Sequence, residues 1–124
     1  VTTEQPHDWD QVLELFAQLK RGEDLTISDD LNDLLRRVAP ELAISVEDAE
    51  AAILTPAGTA TLVREMRRRI FVGSRRLGAA LLEAFEHGEK GDKDSARRAL
   101  EAVLSVEVVP LYRRTAQREL DKLE

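Results

Sequence analysis

Apolar residues recur at intervals of three and four along most of the chain, the spacing that gathers them on one face of an α-helix. Trp9, Val12, Leu13, Phe16 and Leu19 form the first series, which begins near Asp8 and stops at Gly22. Leu31, Leu34, Leu35 and Val38 form the second. Ser28-Asp29-Asp30 opens it with a capping hydroxyl and an acidic first turn, and the Ala39-Pro40 step is expected to close it. A short third series, Val46, Ala49, Ala52 and Ile53, follows a capping-box-like Ser45 and Asp48.

The longest series runs through Leu62, Met66, Ile70, Gly73, Leu77, Ala80, Ala84 and Gly88, and predicts one helix from about Pro56 to His87. Thr55 caps its start, Pro56 suits its first turn, and Gly88 and Gly91 mark its end. Leu81, Leu82 and Phe85 widen the stripe, which predicts burial of this part on more than one side. Gly73 on the stripe predicts either a kink or a close crossing. After the polar turn Gly91-Asp92-Lys93-Asp94 come Ala96, Leu100, Val103 and Leu104, and Pro110 opens a last helix with Leu111, Tyr112, Ala116 and Leu120.

These elements predict an all-α, single-domain bundle of about six helices over residues 8–124, built around the long helix, with a flexible leader at 1–7. Few aromatics, and many alanines and leucines, favour helix over strand. The expected core includes Trp9, Leu13, Phe16, Leu34, Leu35, Met66, Ile70, Leu77, Leu81, Phe85, Leu100 and Leu104. The turn at Gly91 and the helix after it carry a weak tetratricopeptide-like hairpin pattern, with no repeat of it elsewhere in the chain.

The net charge of −6 conceals an asymmetry. Residues 1–63 hold 13 acidic and 4 basic residues, and residues 64–124 hold 11 and 14. Six arginines fall between positions 64 and 76 with only Glu65 among them. At about 100° per residue, Arg64, Arg68 and Arg75 project away from Met66, while Arg67, Arg69 and Arg76 lie on the flanks. Arg64, Arg67, Arg68, Arg75 and Arg76 are therefore the candidate partner-binding residues. Either they face solvent and meet an acidic protein or a second copy of the chain, or the acidic N-terminal half covers them.

Catalytic and metal-binding patterns are missing. With no cysteine there is no thiol nucleophile, thiolate site or disulfide, which fits a reducing cytoplasm. His7 falls in the leader and His87 near a helix C-terminus, where its imidazolium complements the dipole. No His-Glu-x-x-His, glycine-rich phosphate loop or Glu-x-x-His pattern occurs. No apolar run is long enough to span a bilayer. A helix-turn-helix reader is disfavoured because the short third helix carries Glu47, Asp48 and Glu50. No enzyme, cofactor or metal is expected.

Several words of the chain are familiar as a set. They are Asp8-Trp9, Leu19-Lys20-Arg21-Gly22-Glu23, Ile27-Ser28-Asp29-Asp30, Leu35-Arg36-Arg37-Val38-Ala39-Pro40, Arg64-Glu65-Met66-Arg67-Arg68-Arg69-Ile70, Gly73-Ser74-Arg75-Arg76-Leu77-Gly78 and Val106-Glu107-Val108-Val109-Pro110-Leu111-Tyr112-Arg113. Together they resemble the DUSAM domain, a family expanded in myxobacteria and without an assigned activity, from about Asp8 to Leu120. The resemblance implies a bacterial domain and brings no catalytic residues. The expected function is a non-enzymatic protein-interaction or regulatory module working through the arginine-rich helix; the alternative is phosphate-backbone binding of nucleic acid by the same arginines.

Overall fold

The computed structural model describes residues 6–123, and among them the protein is all-α, with six helices and no strand. These are α1 (His7–Lys20), α2 (Asp29–Glu41), α3 (Val46–Ala52), α4 (Pro56–Glu89), α5 (Lys93–Val106) and α6 (Pro110–Asp121). The predicted long helix is α4, 34 residues in length. Of the leader expected at 1–7, residues 1–5 lie outside the described residues, and His7 is already the first residue of α1.

Local chemistry sets most of the boundaries. Ser28 Oγ accepts from the Leu31 N–H, Ser45 Oγ from Asp48, Thr55 Oγ1 from Gly58 and the Asp92 carboxylate from Ser95, each at 3.0–3.1 Å. Gly22 and Gly91 take positive φ just past α1 and α4. There the Glu23 N–H returns to the Gln18 carbonyl and the Asp92 N–H to the His87 carbonyl, closing each helix. α2 departs from expectation: Pro40 lies within its last turn, on an exposed side of the helix, and the helix runs on to Glu41. Its closure comes at Ala43, which takes the left-handed φ of 62° while the Ile44 N–H reaches back to the Ala39 carbonyl.

Contacts gather the chain into two compact units, one ending at Ile70 and the other starting at Phe71. In the first unit Trp9 and Val12 of α1, Leu34, Leu35 and Val38 of α2, and Leu62, Val63, Met66 and Ile70 of α4 are buried. Trp9 Nε1 donates to Glu41 Oε1 at 3.1 Å, so the indole is satisfied as well as packed. α4 begins hard against the end of α3: a Cβ on Gly58 would sit 2.2 Å from the Ala52 carbonyl oxygen. In the second unit Leu77 and Ala80 share the interior with Ala96, Leu100 and Val103 of α5 and with Val109, Tyr112 and Ala116 around α6.

The expected core needs correction at its edges. Leu13, Phe16, Leu81 and Leu104 are only half-buried, and Phe85, like Leu82, is exposed. Around the helix Leu82 lies about 140° and Phe85 about 80° from the buried Leu77. The widened stripe is thus not covered on its second side.

Candidate functional site

The arginines of α4 fall into place as the helical period requires. Arg64, Arg68 and Arg75 are exposed, whereas Arg67, Arg69 and Arg76 are half-buried. Their partners separate them further.

In the first unit, Arg68 donates to both Glu65 carboxylate oxygens, at 3.0 and 2.6 Å, and Arg69 to one of them at 2.8 Å. The hydrogen bonds from Arg68 chiefly hold the Glu65 carboxyl at about 2; burial, the next-largest influence, opposes them, and the hydrogen bond from Arg69 and the charges of both arginines add to the lowering. Arg69 Nη1 also donates to the Leu42 and Ala43 carbonyls at 2.9 Å each, tying α4 to the closing turn of α2. Arg67 lies over the Phe16 ring of α1, 4.7 Å from its centroid. Arg64 makes no hydrogen bond or ion pair with the described residues. It lines an open groove of about 560 Å³ with Leu19, Leu25, Ile27, Pro56 and Ala60, and with Glu23 and Asp24.

The arginines of the acidic N-terminal half pair with carboxylates of that half. Arg37 pairs with Asp8 and Arg36 with Glu50 and Asp33. The Arg37 hydrogen bond lowers the Asp8 carboxyl below its ordinary value. Arg68 and Arg69 pair instead with Glu65 of α4 itself, and Arg76 with Glu107.

In the second unit Arg76 is committed inward. Its Nη1 donates to Glu107 Oε1 at 2.9 Å, and the Glu107 side chain is only 2% exposed. Glu107 Oε2 accepts the N–H groups of Val108 and Val109 at 3.1 and 2.9 Å, at the entry to α6. A buried carboxylate with this many donors is well satisfied. Arg113 Nη1 completes the junction by donating to the Leu104 and Glu107 carbonyls at the end of α5. The Gly73 crossing is here too: a Cβ on Gly73 would lie 2.5 Å from Tyr112 Cδ2 and 2.9 Å from Glu107 Oε1. Arg75, by contrast, lies only over the exposed Phe71 ring, 5.8 Å from its centroid.

Two features escaped the reading of the residues. Glu107 was embedded in Val106-Glu107-Val108-Val109, where nothing marks it as buried. The other is Phe71, 44% exposed, which joins Leu82 and Phe85, expected as a buried widening of the stripe but 60% and 65% exposed, in a second apolar strip on α4. Its spacing of eleven and fourteen residues from Phe71 is helical and could have been found.

Among the described residues no group of three or more histidines, aspartates or glutamates could hold a metal ion. No described helix is long and apolar enough to cross a membrane.

No curated protein and no solved structure matches the chain. Residues 7–123 do match a family described as protein of unknown function (DUF2379), and with the match extending over nearly the whole chain, the protein belongs to that family.

Proposed function

We propose that the chain is a non-enzymatic interaction module whose second unit docks another protein on the solvent side of α4. One observation carries this reading: Leu82 and Phe85 stand mostly exposed on the side of α4 turned away from Leu77 and Ala80, with the loosely held Arg75 nearby. Large apolar side chains beside an arginine have the composition of an interface centre. In the first unit Arg64 and Arg68 form a separate cationic patch, which favours an acidic partner. The same reading takes the family to be the DUSAM domain and the module to be bacterial and cytoplasmic, the last supported by the absence of cysteine.

Phosphate-backbone binding has less support, because Glu83, Glu86 and Glu89 follow the apolar strip along α4 and would repel a phosphate. Capture from a lysate of the source organism, with and without nuclease, separates the two. The protein reading expects a nuclease-resistant partner that is lost with Leu82→Asp/Phe85→Asp and weakened with Arg64→Glu/Arg68→Glu/Arg75→Glu, while circular dichroism shows both variants folded. Capture that disappears on nuclease treatment favours nucleic acid. Capture unchanged in both folded variants overturns the docking face.

A further inference from the structure

Gly78 sits on the exposed side of α4, and a Cβ built on it meets nothing within 4 Å. The missing side chain serves no contact inside the chain, yet glycine in a helix costs about 1 kcal/mol relative to alanine. At about 100° per residue, Phe71, Gly78, Leu82 and Phe85 share a strip only about 60° wide. Gly78 is a notch in that strip.

The charges beside the strip are of opposite sign at its two ends. Arg75, near the start, makes no ion pair with the described residues, and neither do Glu86 and Glu89 at the far end. Arg75 and Glu86 lie to the same side of Phe71, at about 40° and 60°. A surface with an unpaired cation at one end and unpaired anions at the other is complementary to its own reverse.

We infer that this strip binds a second copy of the chain, antiparallel, about a two-fold axis level with Ala80. The inference rests on the reading of the exposed side of α4 as a docking face and names the occupant. In this register Leu82 of each copy is level with Gly78 of the other, so the largest aliphatic side chain of the strip enters the notch. Arg75 falls about 1.5 Å along the axis from Glu86 of the other copy. A two-fold axis in the plane of the joint keeps the pair on the same side of it, and the contact forms twice. A parallel pairing would bring Arg75 level with Arg75 and Glu86 level with Glu86, on opposite flanks of the joint, and would give neither an opposite charge to meet.

The test is the mass of the full chain in solution, measured by light scattering and sedimentation from roughly micromolar to roughly millimolar concentration. The wild-type mass should double as concentration rises. Leu82→Asp should stay monomeric across the range, and Gly78→Gln, a better helix former that fills the notch, should weaken association without loss of helix content. Arg75→Glu should weaken it about tenfold or more, and Arg75→Glu/Glu86→Arg should recover most of that loss. The self-association is overturned by a wild-type chain that is monomeric throughout, by a dimer that folded Leu82→Asp and Gly78→Gln leave intact, or by a charge exchange that restores nothing. A monomeric wild type whose capture of a different protein is abolished by Leu82→Asp/Phe85→Asp would remove the second copy and keep the docking face.

Discussion

α4 follows one three-and-four pattern throughout, but its portion in the first unit and its portion in the second use that pattern differently. In the first unit Leu62, Val63, Met66 and Ile70 are all buried, and the neighbouring Arg67, Arg68 and Arg69 are fastened to Phe16, Glu65 and the end of α2. In the second unit Leu77 and Ala80 are buried, but Phe71, Val72, Leu82 and Phe85 are exposed and Arg75 has only a ring beneath it. The spacing of apolar residues says that a face can be buried; the neighbours supplied by the rest of the chain decide whether it is. An apolar strip left open after those neighbours have docked is available for binding.

The largest expected effect tests that contrast through aromatics. Trp9→Ala removes a side chain that is 1% exposed and hydrogen-bonded to Glu41, and should cost about 3 to 5 kcal/mol in urea unfolding. Phe85→Ala removes an aromatic that is 65% exposed and should change stability by no more than about 0.5 kcal/mol, measured at a concentration low enough to exclude association. Comparable losses would mean that Phe85 is covered in solution by its own chain.

The two units also differ in how they respond to pH, and each holds its own optical reporter, since Trp9 is the only tryptophan and Tyr112 the only tyrosine. The Tyr112 phenol is pushed up to about 12, chiefly by burial, with the Ser74 hydrogen bond acting against the shift and the Glu107 charge adding to it. Because the folded value is raised, the stability it confers is complete below the ordinary value of 10 and is lost as pH rises from there towards 12, by about 2 to 3 kcal/mol. Tyrosinate absorbance should therefore appear near pH 12 or together with unfolding; titration near 10 in the folded protein would contradict the burial. Glu65 has the opposite sign. Its lowered value confers stability present above the ordinary 4.5 and lost as pH falls towards 2, and solvent screening should keep this below about 1 kcal/mol.

Much of the fold was legible because its signals are local. Ser28, Ser45 and Thr55 each act on an N–H three residues ahead, and Gly22 and Gly91 close helices by their own backbone conformation. The angular reading of the arginines was local too, and Arg64, Arg68 and Arg75 are exposed as the helical period required. What could not be read depends on residues far apart in the chain. Arg76 is drawn to Glu107, 31 positions away, and Arg69 to carbonyls of Leu42 and Ala43. Arg76, grouped with the candidate binding residues, is thereby engaged within its own unit. The end of α2 was placed too early because Pro40 deprives only the Arg36 carbonyl of its helical donor, on an exposed side of the helix where water can satisfy it.

Two glycines on α4 give the finest comparison within the second unit. Gly73 lies on the buried face, where a Cβ would stand 2.5 Å from the ring of Tyr112, itself 4% exposed. The ring cannot yield without disturbing the Glu107 junction beside it, so Gly73→Leu should overpack the site and cost about 1 to 3 kcal/mol. Gly78 faces open space, and Gly78→Ala should instead gain up to about 1 kcal/mol from helix propensity alone, again at low concentration. The opposite signs matter more than the magnitudes. If Gly73→Leu melts at or above the parent temperature, Tyr112 can swing aside and the close approach is not a constraint. If Gly78→Ala destabilises the dilute monomer, the notch has a role inside the chain and is no longer a feature kept open for a partner.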